Sequence, residues 1–71
     1  IIVYNDDINT FDHVIFCFMK YCEHTREKAE QSAWDIHTKG KCNVKEGSFD
    51  ELRPIRNVLC GNGLSAEIEN A

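Results

Sequence analysis

Apolar residues in this chain change their spacing several times along its length, and the order of those changes limits the fold more than any other feature. Ile1-Ile2-Val3-Tyr4 is rich in β-branched and aromatic residues and stops at three turn formers, Asn5-Asp6-Asp7, so it reads as a strand entering a short acidic loop. Phe11, Val14, Ile15, Phe18, Met19 and Cys22 then recur at helical intervals after a cap at Asn9 or Thr10. With Asp12 near the positive end, they predict one amphipathic helix of about three turns. A second helix is expected to open at Thr25 and to end near Lys39, where Gly40 tolerates a left-handed stop. Its inner stripe is sparse: Ala29, Ala33, Ile36 and His37 share a face, while Arg26, Glu27, Lys28, Glu30 and Lys39 are read as solvated.

Residues 41–45 contain one strong strand former, Val44, and predict a short edge strand. Ser48 and Glu51 form a capping box, yet Pro54 falls six residues past that cap, where it deletes an intrahelical hydrogen bond at a cost of ~3 kcal/mol. The third helix is therefore expected to bend there or to begin as a separate turn. Leu52, Ile55, Val58 and Leu59 continue the stripe as far as Gly61-Asn62-Gly63; Leu64, Ala66 and Ile68 then alternate with Ser65, Glu67 and Glu69 as a half-buried strand. The order β-α-α-β-α-β lacks regular βαβ repeats and points to an α+β domain with a small antiparallel or mixed sheet covered on one face. Within 71 residues, 42% of them hydrophobic, one domain spanning 1–71 with one modest core is expected. A concave site is then expected to share its walls with that core.

The net charge of −4 comes without a Lys/Arg cluster, which argues against nucleic acid or an anionic membrane as partner and favours a positively charged ligand. No apolar run approaches the ~20 residues of a membrane span. The four cysteines are read as reduced thiols, since ordinary helix and strand patterning and the lack of a secretory leader argue against a disulfide framework. Cys17 and Cys22 are five apart, not in a Cys-x-x-Cys knuckle, and His13, His24 and His37 lack His-x-x-x-His spacing, so neither a metal nor a cofactor is expected. Catalysis by a Cys-His pair needs an exposed thiolate, whereas these thiols sit in an apolar helix, so the chain is not read as an enzyme. Trp34 is read as packing rather than as an exposed anchor. The lack of an initiator Met leads us to expect a trimmed chain without its N-terminal extension.

Asn5, Asp6 and Asp7 at the strand end and His37 on a face of small apolar residues are the sharpest candidates for chemistry. Two carboxylates, an amide oxygen and a neutral imidazole nitrogen are all acceptors; if they converge, they suit a group that only donates, such as the α-ammonium of a peptide. Taken alone, the tripeptide reads first as a turn, and His37 as a helix-end residue favoured by the dipole.

The segments Val3-Tyr4-Asn5-Asp6-Asp7, Asn9-Thr10-Phe11-Asp12-His13-Val14-Ile15, Ala29-Glu30-Gln31, His37-Thr38-Lys39-Gly40-Lys41-Cys42 and Gly63-Leu64-Ser65-Ala66-Glu67-Ile68 together resemble the ClpS family, adaptors of the ATP-dependent Clp protease in the N-end rule pathway. The most specific part is the Asn-Asp-Asp loop followed about thirty residues later by His-x-x-Gly-Lys. The resemblance implies a three-stranded antiparallel sheet packed against three helices. It implies that Asn5, Asp6, Asp7 and His37 surround the α-amino group of a substrate, and that Phe11, Val14, Ala33, Ile36 and Leu64 wall the pocket for the first side chain. The implied partners are the N-terminal peptides of substrate proteins, beginning with Phe, Tyr, Trp or Leu, and a ClpA/ClpC-type AAA+ unfoldase, met by a monomer in the cytoplasm or a plastid stroma. The family commonly has Met where Phe11 and Ala33 stand, so the cavity volume is expected to be redistributed. Asp50 and Arg56 are candidates for the protease-docking surface. The rival reading is a structural interaction domain of similar fold, like the C-terminal domain of the ribosomal stalk protein, which needs no amine site.

Overall fold

The computed structural model of the chain describes residues 1–6 and 8–69. Its elements follow the order read from the sequence: β1 (Ile2–Tyr4), α1 (Phe11–Tyr21), α2 (Arg26–Lys39), β2 (Lys41–Asn43), α3 (Phe49–Gly61) and β3 (Ser65–Glu67). The strand order is β2-β1-β3 and both pairings are antiparallel, with Val3 opposite Cys42 on one side and Ala66 on the other. The opening strand is thus central, and β2 lies at an edge. Because alternate strand residues face opposite ways, this register aims Val3, Cys42 and Ala66 at the core. Ile2 and Tyr4, both half-buried, share the other face with Lys41, Asn43, Ser65 and Glu67. The core cluster joins Val3 and Ala66 to Phe18 of α1, Ala33 and Ile36 of α2 and Leu59 of α3, so the three helices cover one face of an α+β fold.

Each helix begins where its capping chemistry lies. The hydroxyls of Thr10, Thr25 and Ser48 accept the amides of His13, Lys28 and Glu51 at 3.1, 3.2 and 3.2 Å, each satisfying one of the donors a helix start leaves unpaired. The first cap is therefore Thr10, not Asn9. Gly40 closes α2 at φ +90° with its amide bonded to the Ile36 carbonyl at 2.9 Å, a conformation that a side chain would strain.

Three sequence expectations shift. In α1 the buried residues are Ile15, Cys17 and Phe18, while Phe11 and Met19 are 43% and 39% exposed; α2 and α3 cover only one side of this helix, too narrow for every apolar position. In α2 the buried stripe is Ala29, Ser32, Ala33 and Ile36, and Trp34 is 55% exposed. One position beyond Ala33 turns Trp34 about 100° off that stripe, so it is not the packing residue expected. In α3 the helix continues through Pro54 from Phe49 to Gly61, so no separate first turn forms. The carbonyl of Asp50 loses its helical donor, but Asp50 and Pro54 are both exposed, where water can take that donor's place. Among the described residues, no helix is long and apolar enough to cross a membrane.

Candidate functional site

A hollow of about 340 Å³ opens where the exit of β1, the start of α1, the second half of α2 and the turn before β3 meet. Its lining contains Asn5, Asp6, Phe11, Val14, Ala33, Ile36, His37 and Leu64, together with Val3, Tyr4 and Asn9. The structure thus brings together every residue expected to bind the amine or wall the pocket except Asp7, which lies outside the described residues, while the docking candidates Asp50 and Arg56 lie on α3 and do not line the hollow. Val3, Ala33, Ile36 and Leu64 are each 5% exposed or less and also belong to the core, so the apolar wall is built from residues the fold already needs.

The topology explains why the acidic loop and His37 are neighbours. The antiparallel pairing of β1 with β2 sets Tyr4 opposite Lys41, and β2 leaves α2 directly through the Gly40 turn. The end of the first strand therefore lies beside the end of the second helix, and the amide of Asn5 donates to the Gly40 carbonyl at 2.9 Å. His37 is one helical turn back from Gly40. It is exposed on α2, with its imidazole 5.9 Å from the indole of Trp34 and tilted 41° to it. His37 therefore stands at the mouth of the hollow, not in the buried stripe.

Asp6 is more committed than a free acceptor in a polar loop. Its Oδ1 accepts the amides of Ile8 and Asn9, each at 3.0 Å, and the Asn9 side-chain nitrogen lies 3.0 Å from Oδ1 and 2.9 Å from Oδ2. Partial burial pushes this carboxyl up, but the hydrogen bonds from the backbone and side chain of Asn9 and from the backbone of Ile8 outweigh it and hold the carboxyl below the usual range. Oδ2 keeps lone-pair capacity for a further donor. Val3, Tyr4 and Asn9 line the hollow without having been placed in the site from the sequence; Asn9, which sequence reasoning weighed only as a helix cap, is the one among them bonded to Asp6. The signal was Asp6-x-x-Asn9, since a short acidic side chain readily bonds the backbone two and three residues on.

The thiols stand apart from this chemistry. All four cysteines are free; Cys17 and Cys22 are buried, and burial raises the Cys17 thiol and pushes that of Cys22 up to about 11. Cys17 Sγ lies 3.7 Å from His13 Nε2, which also meets the Asn62 carbonyl at 2.8 Å. This Cys-His pair is one helical turn apart, but Cys17 is fully enclosed and no substrate reaches its sulfur. Among the described residues no group of three or more His, Cys, Asp or Glu side chains is arranged to hold a metal ion.

Residues 1–64 match the model of the family described as ATP-dependent Clp protease adaptor protein ClpS. The ATP-dependent Clp protease adapter protein ClpS of Streptomyces coelicolor is 32% identical over 68 residues, 96% of this chain and 71% of that protein. The protein of the same name from Streptomyces avermitilis is 31% identical over 96% of this chain and 65% of its own length. That of Thermosynechococcus vestitus is 35% identical over 92% of this chain and 70% of its own length. A match that runs from the opening strand to Leu64 takes in each element that shapes the hollow up to the start of β3, and the chain belongs to the ClpS family of Clp protease adaptors.

Proposed function

We propose that the hollow receives the first residue of proteins with a free N-terminus, preferring Phe, Tyr, Trp and Leu, and that the chain passes them to a ClpA/ClpC-type AAA+ unfoldase in the cytoplasm or a plastid stroma. The observation that carries this reading is the two-part make-up of the hollow's lining: acceptor-bearing Asn5, Asp6 and His37 border the same hollow as apolar Phe11, Val14, Ala33, Ile36 and Leu64. A peptide's first residue has two matching parts, an ammonium and a side chain on one carbon. Asp7 joins the acceptor set in this reading, and His37 acts as a neutral acceptor, because a protonated ring would repel the ligand. Of the two docking candidates, Arg56 donates to the Ala66 carbonyl at 3.2 Å and to Asn57 at 3.1 Å, while Asp50 is exposed at the start of α3 and is the one open to a partner.

Burying a Leu or Phe side chain contributes about 1.5 to 3 kcal/mol, and each charge-assisted hydrogen bond about the same. After the cost of immobilising a flexible peptide, binding of about −8 kcal/mol, near micromolar, is expected. That strength suits a carrier that has to release its cargo. An acetylated N-terminus leaves the acceptors facing a group that cannot satisfy them. Fluorescence anisotropy with a labelled Phe-peptide should give micromolar binding for the free amine and a loss of at least about 100-fold on acetylation. Equal affinity for the two peptides refutes the reading.

A further inference from the structure

We infer that Asn9 is a positioning residue for the hollow: it fastens the acidic loop to the turn before β3 and so fixes the acceptor rim relative to the Leu64 wall. The inference rests on the amine-binding reading proposed above and assigns a role to a side chain that this reading leaves without one.

The Asn9 side-chain nitrogen spans the two Asp6 oxygens at 3.0 and 2.9 Å and also meets the Gly63 carbonyl at 2.7 Å. Every partner is an acceptor, so the amide orientation is forced by chemistry: one N–H serves the carboxylate and the other the carbonyl. Fifty-four positions of sequence separate Asn9 from Gly63, and one side chain bridges them. Gly63 sits at φ +90°, and a Cβ there would lie 3.4 Å from Asn9 Oδ1, so glycine provides both the backbone turn and the room. The next residue is Leu64, whose amide is bonded to the Leu59 carbonyl of α3 at 3.1 Å. Leu64 is therefore held by α3 on one side and, through Gly63, by Asn9 on the other. Removing the amide frees the Asp6 loop from the wall that contacts the ligand's side chain, while the core residues stay in place.

The test is Asn9→Ala, with Asn9→Asp as the stronger perturbation because it sets a second carboxylate against Asp6. Two readouts are taken: the dissociation constant for a free Phe-peptide, and the titration midpoint of the Asp6 carboxyl followed by carbon NMR without ligand. The expected result is roughly a tenfold weaker dissociation constant for Asn9→Ala and an Asp6 midpoint raised toward the ordinary carboxylate value, with the thermal midpoint lowered but the chain still folded at the assay temperature, since the lost bonds to Asp6 and Gly63 also contribute to stability. A residue needed only for global stability leaves both readouts unmoved in the folded fraction. Unchanged affinity, or an unchanged Asp6 midpoint, overturns the inference. If wild-type protein binds free and acetylated peptides alike, the amine-binding reading is what fails, and the ligand-free midpoint still decides whether Asn9 holds the loop. Should Asn9→Ala not fold, Asn9→Ser, which keeps one donor for one of the two anchors, is read by the same criteria.

Discussion

Ala33 is where the volume of the hollow is most directly controlled. It is 3% exposed, sits on α2, and faces the core and the hollow together. Replacing it with Met adds three heavy atoms at a helical position that Met tolerates well. If each takes roughly the 30 Å³ share of a water molecule, about a quarter of the 340 Å³ hollow is filled. A peptide beginning with Trp then has two or three ring carbons kept out, at about 0.8 kcal/mol each, or about 2 kcal/mol and roughly 30-fold in affinity. A shorter Leu side chain meets less of the obstruction and should lose less than about fivefold. Fluorescence anisotropy with Trp- and Leu-peptides, on wild type and Ala33→Met, reads the ratio, and urea unfolding is recorded alongside. Equal losses for the two peptides, accompanied by a stability drop of about 1–3 kcal/mol, mean that the new side chain has turned into the core instead, and the account of the floor is then wrong.

Asp6→Ala, often a neutral change in a polar loop, is expected here to lower stability by about 1–2 kcal/mol, because the amides of Ile8 and Asn9 and the Asn9 side chain lose their shared acceptor; urea denaturation checks it, and peptide binding should fall in the same variant. The pH dependence follows from the lowered Asp6 carboxyl: the unfolded chain takes up this proton first, so the stability due to Asp6 is full above the ordinary carboxylate value of about 3.9 and is lost as pH falls through the lower folded value. The stability difference between wild type and Asp6→Asn, followed by circular dichroism in acid, should therefore shrink below that value, and a difference that grows on acidification contradicts the sign. Pro54→Ala returns a donor to the Asp50 carbonyl inside α3 and should raise stability by about 1–2 kcal/mol, the gain in helix energy less the entropy that proline removes from the unfolded chain; a lower thermal midpoint refutes it.

What could be read from the sequence was local chemistry. Thr10, Thr25 and Ser48 each cap a helix because a hydroxyl one step before an apolar-periodic segment has a single nearby use, and Gly40 marks a stop that only a glycine adopts cheaply. The β-α-α-β-α-β order followed from the same signals. The meeting of Asn5 with His37 was different in kind. It depends on β1 pairing with β2 immediately after the Gly40 turn, a long-range event that no window of residues contains, and it became legible only through the resemblance to a known family. The Asn9 bridge to Gly63 was missed for that reason. Trp34 and Met19 were missed for another: hydrophobicity tells which residues prefer burial, whereas the number of neighbouring elements decides how many of them a helix can bury.

The shared wall has a consequence for how such a site can vary. Val3, Ala33, Ile36 and Leu64 are enclosed by the core on one side and border the hollow on the other. Cutting Leu64 to Ala to enlarge the hollow leaves a cavity costing about 2–5 kcal/mol, a large fraction of the ~5–15 kcal/mol that holds a small domain together. Phe11 is in a different position. It lines the hollow but is 43% exposed, so changing its size alters the entrance while removing little from the core. Selectivity can therefore be tuned at the mouth with little loss of stability, whereas tuning at the floor is limited to changes that fill space already open, as at Ala33. A bulky residue at the rim paired with a small one at the floor is an arrangement that this constraint permits, because it narrows the entrance without taking volume from the packed interior.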